Sequence, residues 1–237
     1  MRARMMLLAA LPVLLVTGAF ADELSPDLRA LIEGFQGHRR VAIGYLRTQN
    51  GDLGAVEIER LRERFAADRR KLSASTASDQ GLAAALIQTE AMLADGLKAA
   101  DRGEVEHSRR LLEEAAAPLD SWRKAKGIRL FSDCIGELSA AYERLDRYRL
   151  KPPDLKEGAA AEDVIRASQG TIVALDRCER EAPGEMRREP EFRRLFDGMR
   201  ASLQQVPDAV RARDNAVLHR LLIEQRSFER LLSFRFG

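Results

Sequence analysis

Apolar residues recur three and four positions apart along most of the chain, the period of an amphipathic helix. Leu28, Leu31, Ile32, Phe35, Ala42 and Leu46 share one face of a helix opened by Ser25-Pro26-Asp27, with Ser as cap and Pro in the first turn. Gln49-Asn50-Gly51-Asp52 ends that helix. Val56, Ile58, Leu61, Phe65 and Leu72 predict a second, and the small polar run Ser73 to Asp79 a loop. Leu82, Leu86, Met92, Leu93 and Leu97 predict a third helix. After the tight connection Asp101-Arg102-Gly103, Val105, Leu112, Leu119 and Trp122 predict a fourth. Four helices with short connections make an up-down bundle. The second half repeats the plan with more proline. Its helices run from Ser132 to Leu150, from Ala161 to Glu181, from Pro190 towards Arg211 and from Asp214 to Arg235. Pro152-Pro153 and Pro183-Gly184 end the first two, and Pro207 is expected to kink or break the third.

The two halves echo one another. Arg102-Gly103-Glu104-Val105-Glu106-His107 lies opposite Asp214-Asn215-Ala216-Val217-Leu218-His219, and Ser121-Trp122-Arg123 opposite Ser233-Phe234-Arg235, at a constant offset (219 − 107 = 112). Leu82, Leu86 and Leu93 match Leu195, Met199 and Val206 one residue out of that register (195 − 82 = 113). The first and second helices of the halves align poorly. A constant offset of this kind points to a duplicated unit. The expected fold is all-α: two tandem antiparallel four-helix bundles from an internal duplication, residues 22–126 and 127–237, meeting near Lys124 to Gly127.

The N-terminus reads differently. Met1-Arg2-Ala3-Arg4 precedes an apolar run from Met5 to Val16 and then Ala19-Phe20-Ala21. A basic start, a short apolar stretch and a small-x-small site predict a signal peptide, residues 1–21, and an exported, periplasmic-type protein. Without Arg2 and Arg4 the chain has as many basic as acidic residues (39 − 2 = 37, against 37). Such a balance gives no electrostatic reason to bind nucleic acid, and no other stretch has the length and apolarity of a membrane span. The two cysteines, Cys134 and Cys178, would form a disulfide in an oxidising compartment. Two free thiols or a metal pair are the alternatives. Antiparallel neighbouring helices would bring both to one end of the second bundle.

Catalytic motifs are absent: no phosphate-binding glycine loop, no H-E-x-x-H and no G-x-S-x-G. Carboxylates alternate with arginines, as in Glu57-Ile58-Glu59-Arg60-Leu61-Arg62-Glu63-Arg64, the pattern of a solvated helix face. Of the three histidines, His219 falls nearly opposite the apolar stripe Val217, Leu221, Phe228 and Leu231, and His107 lies at the flank of its own stripe. His38 sits at the edge of the first helix's apolar face. Glu104 and His107 have the Glu-x-x-His spacing of carboxylate-bridged metal bundles, but the position opposite Glu104 is Ala216. The final helix mixes Phe228, Phe234 and Phe236 with arginines; Phe236, at the end, is expected to face a partner or the neighbouring bundle.

The fourth helix of each half, with its aromatic-Arg end (Trp122-Arg123, Phe234-Arg235), resembles the last helix of the cytochrome c′ and c-556 family. The resemblance implies exported four-helix bundles. That family carries C-x-x-C-H shortly before the aromatic-Arg pair; here those stretches are Ala115-Ala116-Ala117-Pro118-Leu119 and Ser227-Phe228-Glu229-Arg230-Leu231, with neither cysteine nor histidine. Covalent haem attachment does not carry over. The expected function is therefore non-enzymatic binding of a protein partner or a small ligand, with no cofactor. The alternatives are a non-covalent haem or metal-binding bundle for electron transfer or sensing, with His38 and Met92 as ligands, and a purely structural or oligomerising module.

Overall fold

A computed structural model describes residues 24–74 and 78–237; the signal-peptide expectation falls outside them. The described residues are helical: α1 Pro26–Arg47, α2 Gly51–Arg69, α3 Gln80–Asp101, α4 Val105–Glu114, α5 Ala117–Ala125, α6 Phe131–Leu150, α7 Gly158–Glu181, α8 Pro190–Arg211 and α9 Asn215–Phe236, with a 3-10 turn at Met186–Arg188. Side chains cap several starts. Ser25, Asn50 and Asp79 accept from the N–H groups of Leu28, Leu53 and Leu82, and Asp214 from those of Ala216 and Val217.

Four reversals share one device. Gln49, Gly103, Gly127 and Arg213 take positive φ of 61°, 74°, 71° and 55°. The next N–H then bonds five residues back: Asn50 to Tyr45 O, Glu104 to Ala99 O, Ile128 to Arg123 O and Asp214 to Ala209 O. This closes the orphan carbonyls of the preceding helix. Helices pack as two rings: α1 on α2, α2 on α3, α3 on α4 and α5, α4 on α1; then α6 on α7, α7 on α8, α8 on α9, α9 on α6. Phe35 meets Phe65 edge-on in the first core, with ring centroids 5.5 Å apart. Phe192 stacks on Phe196 at 4.1 Å in the second.

Proline acts differently at two places. Pro207 does not break α8, which runs through it, so of the expected kink or break the break does not occur. Its missing N–H would orphan Leu203 O, but the buried Ser168 hydroxyl donates to that oxygen at 3.1 Å. Pro118 leaves Glu114 O without its helical donor, and no side chain among the described residues replaces it. There the expected fourth helix splits into α4 and α5, and Pro118 sits favourably in the first turn of α5. Carbonyls near the break find other donors. Arg39 Nη1 reaches Leu112 O and Glu113 O at 3.2 Å each, and Thr89 Oγ1 reaches Ala115 O at 3.2 Å.

Burial follows a different offset from the letter echo. The positive-φ turn residues Gly103 and Arg213 lie 110 apart, two fewer than the letter echo (213 − 103 = 110). At this offset the buried Gly54, Ile58, Leu61, Phe65 and Asp68 of α2 coincide with the buried Val164, Ser168, Thr171, Leu175 and Cys178 of α7. All the buried positions of α3, from Leu82 to Ala100, coincide with buried positions of α8, from Phe192 to Val210. Letter matching paired Trp122 with Phe234, yet Trp122 is half-buried and Phe234 is 48% exposed. Two assigned core positions also turn out to be solvated, Val56 at 43% and Leu231 at 40%. Phe236 packs in its own bundle, 5.4 Å from the Phe192 ring.

The junction is clamped. Arg123 is buried; its two terminal nitrogens donate to Asp133 at 2.5 Å, its Nε to Asp120 at 3.0 Å and its Nη1 also to Ile128 O at 3.2 Å. Asp133 also accepts from the Leu130 N–H at 2.8 Å. Burial pushes the Asp133 carboxyl up, but its bonds to Arg123 and Leu130 outweigh that and hold it below the usual range.

The second core holds one conspicuous polar misfit. Gln225 is fully buried, and neither amide atom finds a partner in the protein. A buried unpaired amide costs about 1–3 kcal/mol. Gln225→Met, of similar shape, is therefore expected to raise stability by about 1–2 kcal/mol in urea denaturation. A loss of stability would show that Gln225 has a bonding partner in solution.

Candidate functional site

The break between α4 and α5 opens a groove against α3. It is broad and open to solvent, with a volume of about 840 Å³. Gly81, Ala84, Ala85, Gln88 and Met92 form one wall; Ala117, Pro118, Ser121, Trp122 and Ala125 form the other. The walls stand apart because their side chains are small, and Pro118 fixes where α5 begins. Gly81 lets the indole lie close: a Cβ there would sit 3.1 Å from Trp122 Cδ1.

One end of the groove is polar and fixed. Asp79 caps α3 through the Leu82 N–H at 2.9 Å, accepts from Trp122 Nε1 at 3.2 Å and pairs with Lys126 at 3.0 Å. The Leu82 N–H, then Lys126 and Trp122, hold its carboxyl down to about 2. Asp79 is thus ionised at neutral pH and ties the indole to the start of α3. At the other end the Glu114 carboxylate is exposed and has no ion-pair partner among the described residues. The lining offers apolar contact, one aromatic face and one free acid. It has no nucleophile beside a base.

The residues singled out from sequence lie elsewhere or apart. His38 is half-buried on α1, whereas Met92 is half-buried on α3 and lines the groove. Helices α1 and α3 are diagonal in their ring, separated by core side chains such as Phe35, Phe65 and Leu93. Glu104 is exposed and paired with Arg102 at 2.8 Å. His107 and His219 are exposed, and no metal-binding cluster occurs among the described residues. Cys134 and Cys178 are joined in a disulfide, with Cα atoms 5.5 Å apart.

Sequence reading missed Asp79, Ala84 and Pro118 as a group. The available signal was a proline inside a helical pattern, four residues before the only tryptophan. Comparison with family models, curated proteins and solved structures gives no match.

Proposed function

We propose that this chain is an exported, non-enzymatic helical protein that works by binding, and that its working surface is the groove between α3 and α5. The observation carrying this reading is the apolar slot beside Trp122, bounded by an ion-paired end and an unpaired acid. Specific sites commonly combine an apolar floor with a few fixed polar groups. The export element rests on the pattern of the first residues.

A neutral apolar fluorophore, N-phenyl-1-naphthylamine, is a suitable probe. Ala84 is an exposed wall residue outside the core, so Ala84→Arg is expected to leave stability within about 0.5 kcal/mol. It should weaken probe binding by about tenfold or more, since a charged side chain then occupies the slot. Equal affinity in the variant would remove the groove from the account.

A further inference from the structure

The second half shows what fills this groove when it is closed. At the register of 110 residues set by the turns and buried positions, Gln88 and Pro118 correspond to Gly198 and Phe228. Those two are in contact: a Cβ on Gly198 would lie 2.5 Å from Phe228 Cζ. The continuous helix α9 therefore lays a phenyl ring across α8 where the broken helix of the first half leaves space. An aromatic side chain carried on a helix is the shape that matches the open slot.

The chain itself exposes such a helix face. Ile223, Leu231 and Phe234 are among its large exposed apolar residues, at 48%, 40% and 48%. At about 100° per residue they fall, with Ser227 and Arg230, within about 100° of arc on α9. Arg220 borders the same stripe. Both arginines are exposed and have no carboxylate partner among the described residues, so the face is apolar and basic. The groove is apolar, with Glu114 as its unpaired acid. A helix laying an apolar stripe into a groove is a recurrent recognition mode.

We propose that the groove of one copy receives the Ile223–Phe234 face of α9 from a second copy, with Phe234 in the slot and Arg230 or Arg220 facing Glu114. This rests on the groove reading and names its occupant. The contact is heterologous, because groove and stripe are different surfaces, so each copy offers one of each.

Light scattering of the purified chain after size exclusion, from about 5 µM to about 500 µM, tests it. The wild-type mass should rise with concentration towards twice the monomer and beyond. Phe234→Ser removes the stripe's aromatic residue and Ala84→Arg blocks the slot; each alone should stay monomeric across the range. Mixed in equal amounts they should pair, since one retains a groove and the other a stripe. A monomeric wild type, or variants that associate as the wild type does, would overturn the proposal. The naphthylamine probe separates the two readings. At the lowest concentration, where the wild type is monomeric and its groove free, Phe234→Ser should bind it as the wild type does. A monomeric wild type that binds the probe defeats the self-association alone, leaving a different protein as occupant. A wild type that binds no probe defeats the groove reading as well.

Discussion

Replacing Cys134 and Cys178 together by alanine is expected to lower the stability of the second half by about 4 kcal/mol. The bond joins α6 to α7 across 44 residues of sequence. Freeing a loop of that length returns about 4 kcal/mol of conformational entropy to the unfolded chain. Both sulfurs are fully buried, so alanine also leaves small voids that add to the loss. The loss should be local to the second ring. Trp122 is the only tryptophan and lies in the first half, so its emission follows that half, while far-ultraviolet circular dichroism follows both. In urea the dichroism should show an early transition and the Trp122 signal should keep its midpoint. A Trp122 midpoint that falls equally would mean that the halves unfold as one unit.

The second large effect is expected at the junction. Arg123→Ala should cost about 3–5 kcal/mol, the range for removing one partner of a buried pair. The loss leaves the Asp133 carboxylate at a largely buried position, only 16% exposed, without its main counter-charge. Asp133 also holds the Leu130 N–H at the start of α6, so the damage reaches both halves. The double substitution Arg123→Met with Asp133→Leu should recover much of the loss, since neither charge is then stranded. The pH dependence follows from the lowered Asp133 pKa. The pair's contribution is fully present above the ordinary carboxylate range and disappears as pH falls through the folded-state value. Wild type and Arg123→Ala should therefore converge in stability under acid. A constant gap down to the lowest pH would place the role of Arg123 in packing rather than charge.

Helix placement and order were legible, apart from the split at Pro118, because helical periodicity is a local signal. Leu28, Leu31, Ile32 and Phe35 are all buried on α1 as their spacing requires. The two prolines were not legible, because a proline's effect depends on distant partners. Ser168, thirty-nine residues before Pro207, decides that α8 continues. Nothing near Pro118 in sequence announces that Glu114 O lacks such a donor. The letter echo and the burial pattern also disagree in offset. Letter identity favoured the offset of 112, while burial, set by packing, follows 110 and pairs Ile58 with Ser168 and Phe65 with Leu175. Residues so unlike in chemistry carry no signal in a single chain. The groove was invisible because alanines and a glycine line it, and small residues in a helix read as helix formers rather than as a site. Histidine drew attention instead, since its chemistry is conspicuous wherever it lies.

The most direct test of the groove is energy transfer from Trp122 to bound N-phenyl-1-naphthylamine. The indole forms part of the wall, so a probe seated in the groove lies against it and transfer is near its maximum. The expected result is loss of Trp122 emission that saturates at one probe per chain, with matching sensitised emission from the probe. Binding of the probe with Trp122 emission unchanged would place the apolar site elsewhere and contradict the assignment of function to the α3–α5 groove.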